Sequence, residues 1–213
     1  MIRVYKSSDS PNSLSTTKKY DGEDVKQQLE KDHHKKCYLC ERELCTDFEI
    51  EHLKSQENYP ELRQDWKNLL WSCSYCNSKK SNSFDNILNP VETNIEEEIK
   101  QEIDFNKKQA NFTSLIQTQE HVQTCLLLDK LHNGTNKLRK KKEENFFEYI
   151  LGIVNNFNRL LSQYLIEPTE ENRNLIKEEL SIKKECLGFK YWIIKDHEQL
   201  SLIFKEDIMW NKE

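Results

Sequence analysis

The chain has 213 residues, of which 36% are hydrophobic and 10% aromatic, and it carries a net charge of −5. This length suits one moderate domain or a small module with a helical extension, and the aromatic content excludes wholesale disorder. Only four glycines and four prolines are present, which favours helices over a turn-rich all-β fold. No apolar run reaches the ~20 residues of a membrane span, and the first residues lack the apolar core of a signal peptide. We therefore expect a cytoplasmic protein whose thiols stay reduced.

The acidic balance limits which partners the chain can bind unaided. Residues 1–90 carry 14 basic and 15 acidic side chains, and residues 91–213 carry 18 and 22. A protein that binds nucleic acid alone is usually basic, because it must neutralise phosphates. A nucleic-acid substrate would therefore require a local basic patch or a partner. The one strong basic run, KLRKKK at 137–142, suits a solvated helix face, a phosphate contact or a partner's acidic patch.

The first 90 residues divide into an N-terminal part, residues 1–36, and a module at 37–90. An irregular arm is followed by a short predicted helix at 23–34. Polar and apolar residues alternate over 47–53, which is typical of a strand, and residues 68–72 form a second one. The segment that begins at the second cysteine pair, from Cys73 to Lys80, predicts a short helix.

Residues 91–213 predict a mostly helical region that serves for partner docking. Three isoleucines recur at i, i+4, as on one helix face: Ile95, Ile99 and Ile103. An apolar stripe from Phe146 to Tyr164 suits a core-facing helix or a docking face, and Pro168 ends it. Residues 170–182 predict another helix. Two aromatic clusters suit either exposed interface anchors or a helical core, and the first is ambiguous between a strand and a buried helix: Phe189–Ile194 and Met209–Trp210.

Four of the seven cysteines predict a structural zinc site. They form two C-x2-C pairs with 32 residues between them: Cys37 and Cys40, then Cys73 and Cys76. Zn2+ prefers four tetrahedral ligands, and in a reduced compartment this spacing indicates metal binding instead of disulfides. The alternative is four buried small hydrophobic residues. The other cysteines are assigned to packing: Cys45, Cys125 and Cys186.

Polar residues between and just after these pairs carry the candidate catalytic chemistry. Glu51 and His52 are adjacent, so the strand must end or bend there if both are to reach one phosphate. Neutral His52 can act as a general base near pH 7. Glu51 and the Asn77 amide oxygen are hard ligands suited to one Mg2+ or Mn2+ ion. Lys80, on the same side of its helix as Asn77, can contact a phosphate oxygen.

This arrangement resembles the zinc-knuckle members of the HNH nuclease family over about residues 37–82. The resemblance implies an α+β protein with a treble-clef-like ββα-metal module. It also implies that Asn68 braces the connecting loop and so orients His52. Two departures stand out. The third family histidine is Asn77 here, and the acid is Glu51 where aspartate is common.

Looser features resemble the HNH subunits of Septu-type anti-phage defence, which also occur in retron systems. They are the opening Met1–Lys6 with Pro11 and Leu14, the pair Val25-Lys26 with Leu29, Ile50–His52, Ile87–Pro90, and Thr124–Leu128 leading to Leu138-Arg139. The resemblance implies an effector nuclease controlled by an SMC/ABC-like ATPase, and DNA is favoured over RNA as its substrate. The alternative function is a catalytically inert zinc-knuckle module that binds nucleic acid or acts as an adaptor.

The remaining histidines are assigned no catalytic role. His33 and His34 precede the first cysteine pair, and because four thiolates already complete a zinc site, we expect both at the surface. Three more lie in predicted helical segments and are expected to be structural: His121, His132 and His197.

Overall fold

The computed structural model describes residues 1–210 of the chain. Helices dominate these residues, and two short antiparallel sheets are inserted among them. The helices are α1 (Asn12–Thr16), α2 (Glu23–Asp32), α3 (Ser74–Lys80), α4 (Ile95–Glu98), α5 (Gln119–Asn133), α6 (Lys141–Ile166), α7 (Glu170–Glu179), α8 (Leu187–Lys195) and α9 (Glu198–Ile203). The strands are β1 (Glu49–His52), β2 (Leu69–Ser72), β3 (Ile99–Asp104) and β4 (Gln109–Ser114).

Strands β1 and β2 with helix α3 form the ββα unit. The two strands pair antiparallel, with Glu49 opposite Ser72 and His52 opposite Leu69. Helix α3 begins two residues after β2, and its residues contact β1. The α+β fold class and the ββα module predicted from the sequence are thus confirmed. Among residues 1–210, no helix is long and apolar enough to cross a bilayer.

The second hairpin corrects a sequence prediction. Ile99 and Ile103 lie in strand β3, which pairs with β4 from Ile99 opposite Ser114 to Asp104 opposite Gln109. A spacing of four residues is a multiple of the strand period of two, so it places side chains on one face of a strand as well as on one face of a helix. The helix predicted through these isoleucines is therefore wrong beyond the single turn of α4.

Helix α6 follows the predicted apolar stripe and ends at Ile166, two residues before Pro168. Its buried apolar residues extend from Phe146 to Tyr164. Helix α7 forms as predicted but ends at Glu179. The segment that was ambiguous between strand and helix lies in α8, whose residues Leu187 to Trp192 are all buried.

Buried apolar side chains form two clusters. The first extends from Met1 to Phe189 and joins the N-terminal arm, the ββα unit, α5 and the first half of α6. The second gathers the end of α6 with α7, α8 and α9, between Phe157 and Ile208. Trp192 is buried and donates its indole N–H to the Ile99 carbonyl. The aromatic residues of α8 are therefore core, and the interpretation of them as exposed anchors is wrong.

Candidate functional site

The two cysteine pairs converge because the turn after α2 packs against the start of α3. The backbone N–H of Tyr38 donates to the Trp71 carbonyl at 3.0 Å, which ties the first turn to β2. Cys73 is the N-cap of α3, and its sulfur accepts the backbone N–H of Cys76. All four sulfurs lie within 4.8 Å of one another and are buried.

This cluster fits a structural zinc ion. Four Zn–S bonds of about 2.3 Å in a tetrahedron separate the sulfurs by about 3.8 Å, which is compatible with sulfurs that all lie within 4.8 Å of one another. Burial raises the pKa of the Cys40 and Cys76 thiols well above the ordinary value. Thiolates at Cys40 and Cys76 would therefore be unfavourable without a cation, and a bound divalent metal would supply the compensating charge. The set of four thiol ligands and their burial are both consistent with the predicted zinc site.

Glu51 lies on the face of β1 that packs against α3. Its carboxylate is 2.8 Å from the Lys80 ammonium, which also donates to the His52 carbonyl at 3.0 Å and lies 3.9 Å from Asp85. Burial raises the pKa of Glu51 to about 7, and the charge of Lys80 opposes that rise.

Lys80 differs from its sequence prediction. Its side chain is 0% exposed, so the ammonium is not at the surface where a phosphate oxygen would bind. The reason is helical geometry. Lys80 follows Cys76 by one turn and so shares the face of α3 that packs on the hairpin. In this structure it holds Glu51 and the end of β1 instead.

Asn77 contacts a residue that the sequence analysis missed. Its amide donates to the carboxylate of Glu49, which lies on the same side of β1 as Glu51 because side chains two residues apart in a strand share a face. The sequence did contain a signal for this contact: Glu49 lies two residues before Glu51 in a predicted strand, so the two side chains share a face. Two carboxylates and one amide therefore face each other between β1 and α3, although Glu51 and Asn77 are each bonded to another side chain.

His52 is the last residue of β1 and points away from Glu51. Its ring is buried, with Tyr20 in an edge contact at 4.8 Å between centroids. The Nε2 atom is 3.0 Å from the carbonyl oxygen of Arg63. A carbonyl only accepts, so Nε2 carries the proton and Nδ1 keeps a lone pair. Burial lowers the pKa of His52, which keeps the ring neutral at pH 7.

Asn68 braces the loop that supplies this carbonyl. Its amide oxygen accepts the backbone N–H of Lys54 at 2.8 Å, and its amide nitrogen donates to the carbonyls of Lys54 and Leu62. Leu62 precedes Arg63, whose carbonyl contacts His52. Asn68 thus ties Lys54 to Leu62 across this loop. Arg63 and Tyr20 were missed because a backbone carbonyl and an edge-on ring leave no motif in the sequence.

The other histidines have structural surroundings, with one correction. His33 is buried beside the cysteine turn and accepts the Trp71 backbone N–H at 3.5 Å, so its expected surface position is wrong, and His34 is half-buried. Three are bonded within or next to their own helices: His121, His132 and His197.

Comparison with known proteins agrees with this geometry. Residues 37–83 match the HNH endonuclease family. A stretch of 62 residues is 39% identical to Septu protein PtuB of Bacillus thuringiensis, which covers 26% of this chain. The aligned part spans about a quarter (24%) of that relative's length. The four-cysteine ββα unit thus lies in the part of the chain that matches the HNH endonuclease family, and the chain is distantly similar to Septu PtuB.

Proposed function

We propose that this chain is a metal-dependent endonuclease that hydrolyses phosphodiester bonds with His52 as the general base. The observation that carries the proposal is the bond between His52 Nε2 and the Arg63 carbonyl. It fixes the tautomer whose Nδ1 can take a proton from water, and the bracing by Asn68 holds that carbonyl in place.

The lowered pKa of His52 suits the same role. A general base must be unprotonated at the working pH, and burial keeps His52 neutral at pH 7 and somewhat below. Cleavage should therefore rise with pH through a pKa below 6.5 and then level off with respect to this group. The Tyr20 ring lies against His52, which is 4% exposed, so substrate reaches Nδ1 only after the arm carrying Tyr20 shifts.

The face between β1 and α3 provides the residues for a catalytic ion. Glu51 and Asn77, with Glu49 beside them, offer the hard oxygen donors that Mg2+ and Mn2+ prefer. Such an ion would stabilise charge on the phosphate and on the leaving oxygen. Because His52 points away from Glu51, its ring and this ion reach one phosphate only if the chain bends where β1 ends at His52. Lys80 acts in this proposal as a positioning residue, because it holds the Glu51 carboxylate in the face. The zinc ion is structural, since four thiolates leave no open position.

The proposed setting is an anti-phage defence complex in which an SMC/ABC-like ATPase of the same system controls the nuclease. Similarity to Septu protein PtuB supports it. The net charge of −5 supports it too, because an acidic chain gains little from unaided attraction to nucleic acid. The shielding of His52 by Tyr20 supports a nuclease that is held inactive until a partner acts. We propose DNA as the substrate ahead of RNA.

The test is a nuclease assay with Mg2+ or Mn2+. It is run on the chain alone and on the complex purified after coexpression with the SMC/ABC-like ATPase of the same defence system. His52→Ala should reduce cleavage by about 10²–10⁴-fold, with zinc content and fold unchanged. His197→Asn is the matched control, because His197 is an exposed cap of α9, and it should cleave as wild type does. Cleavage by His52→Ala at the wild-type rate would refute the assignment. A wild type that binds zinc but never cleaves would favour the inert adaptor.

A further inference from the structure

The basic run at 137–142 lies beside the helix that carries Asn77. The Lys142 ammonium is 5.7 Å from the centre of the Tyr75 ring, and the Lys79 ammonium is 5.9 Å from the same ring. The Lys130 ammonium donates to the Lys79 carbonyl at 2.9 Å. Cations from α3, α5 and α6 therefore gather around one side of α3.

Arg139 anchors the run and does not belong to its exposed surface. Its guanidinium donates to the carbonyls of His132 and Lys108, each at 2.7 Å, and lies 3.5 Å from the centre of the Phe147 ring. These contacts fix the loop between α5 and α6. The three lysines that follow are consequently held at the start of α6, where Lys140 is the N-cap.

The charge of these lysines is not neutralised within the protein. Lys79 pairs with Glu143, and Arg139 approaches Glu144 at 3.5 Å. Across residues 1–210, no carboxylate lies within ion-pair distance of the other cations of the group, which are Lys130, Lys140, Lys141 and Lys142. On an ordinary solvated helix face, basic and acidic side chains are interspersed and pair with each other. Here four positive charges have no acidic partner among residues 1–210.

The place of these lysines on α6 is unfavourable for the helix itself. The N-terminus of a helix carries a partial positive charge, so a cation there costs roughly 0.3–1 kcal/mol and an anion is favoured. Lys140, Lys141 and Lys142 occupy the cap and the first two positions of a 26-residue helix. Glu143 and Glu144 in the first turn offset part of this repulsion, and an external anion would relieve the rest.

Lys130 and the three lysines at 140–142 lie on one side of α3. The HNH site, which is the face between β1 and α3 that carries Glu51 and Asn77, lies across the width of that helix. At about 100° per residue, Tyr75 and Lys79 lie on one side of the helix and Asn77 on the other. The exposed residue Ser78 lies between them. A chain of phosphates that crosses this face would therefore reach the lysines about one helix diameter, roughly 10 Å, from Asn77.

We propose that Lys130, Lys140, Lys141 and Lys142 form a surface that binds the phosphodiester backbone of the nucleic-acid substrate next to the HNH site. The inference rests on the proposed nuclease function and deepens it, since it says how an acidic chain holds a polyanion. The lysines neutralise backbone phosphates without reading sequence, so the surface gives affinity and register instead of base specificity.

The experiment measures binding apart from cleavage. In the His52→Ala background and without added Mg2+ or Mn2+, fluorescence anisotropy follows a labelled 30-base-pair DNA duplex and a single-stranded RNA between 50 and 200 mM KCl. The variant carries Lys140→Gln, Lys141→Gln and Lys142→Gln. The control removes the same charge around the second apolar cluster, where no nucleic acid is expected: Lys177→Gln, Lys195→Gln and Lys205→Gln.

The basic-run variant should lose affinity by roughly 10- to 100-fold at low salt. Its slope of log K against log salt should fall by about 2–3 for duplex DNA, since each phosphate contact contributes about 0.9, or about 0.7 for a single strand. The control should keep the wild-type slope to within about 1. The probe with the larger loss identifies the backbone that is bound.

Two results would overturn the inference. One is an equal slope for the two triple variants while wild type cleaves, which would leave the nuclease proposal intact. The other is loss of coelution with the ATPase in the basic-run variant without loss of nucleic-acid binding, which would assign the lysines to an acidic protein surface. A fall in slope in a protein whose wild type never cleaves would support the surface and refute the nuclease.

Discussion

Helix α3 serves two sites of opposite character. Its first turn supplies Cys73 and Cys76 to the cysteine cluster, whereas its later residues Asn77 and Lys80 face strand β1. In the cluster, four identical ligands converge on one point and are sealed from water. The other site is the face between β1 and α3, called the β1 face. There, the side chains bond to one another in pairs: Glu51 with Lys80, and Glu49 with Asn77.

The difference separates structural from chemical roles. Ligands that converge on one ion leave no open position, so the cysteine cluster can only hold the fold. Polar side chains that satisfy each other pairwise can exchange those partners for a metal ion and a phosphate. The β1 face also depends on the cluster, because α3 begins at the cysteines. Damage to the cluster should therefore abolish both sites, and damage to the β1 face should leave the cluster intact.

The largest effect is expected from Cys73→Ser. Loss of one thiolate removes a zinc ligand together with the N-cap of α3. Structural zinc contributes on the order of 10 kcal/mol to folding, comparable with the whole stability of a domain, so the ββα unit should unfold. Elemental analysis should find zinc near one per wild-type chain and near none in the variant, and circular dichroism should show lost structure.

Cys45→Ser is the control for this experiment, because Cys45 is exposed and outside the cluster. It should keep zinc and fold. A Cys73→Ser protein that retains one zinc and a wild-type unfolding midpoint would contradict the zinc site.

A smaller effect, confined to the β1 face, is expected from Lys80→Met. It leaves the Glu51 carboxylate buried without its cation, which costs roughly 3 kcal/mol or more while Glu51 stays charged. Adding Glu51→Gln should recover part of that loss, because no buried charge then remains. Zinc content should not change in either variant. Denaturant unfolding at pH 8 measures both.

Lys108→Met provides the control, since Lys108 pairs with Glu148 at 3.1 Å and both side chains are exposed. Its loss should cost at most about 1 kcal/mol. If Lys80→Met proves as stable as wild type, or if Glu51→Gln fails to compensate, the Lys80–Glu51 pair does not organise this face.

Features set by local spacing were predictable from the sequence. Two cysteines three residues apart at a helix start can meet one ion whatever surrounds them, which is why the cluster was identified. The strand that contains Glu51 followed from the period-two pattern over 47–53. Helix α6 is long enough for its 3.6-residue period to be unambiguous.

Features set by tertiary contacts were not predictable. The burial of Lys80 depends on how α3 packs on the hairpin. The sequence around it, with a second lysine directly before it, gives no sign that this lysine is buried. The carbonyl of Arg63 and the ring of Tyr20 reach His52 from separate loops. Trp192 is core because strand β3 packs on α8, and that strand itself was hidden by a spacing that fits two periods.

The smallest effect concerns a titrating group outside both sites. His132 is buried among aromatic rings, including Phe112 at 5.0 Å and Phe189 at 5.6 Å, and its Nδ1–H donates to the Leu128 carbonyl. Burial lowers its pKa to about 4. The unfolded chain binds a proton near pH 6.5 and the folded chain does not, so this residue's contribution is complete above pH 6.5 and is lost as the pH falls towards 4.

Between pH 7.5 and pH 5.0 the free energy of unfolding should therefore fall by about 2 kcal/mol on account of His132. His132→Leu should reduce the pH dependence by that amount, whatever it does to stability at pH 7.5. Acid also acts on the cysteine cluster and on the β1 face, where proton uptake by Glu51 opposes the loss, but those contributions are common to both proteins and cancel in the difference. Phe112→Leu disturbs the same aromatic cluster without removing a titrating group, so it should lower stability equally at both pH values. If His132→Leu and wild type lose the same stability on acidification, the loss does not come from this histidine.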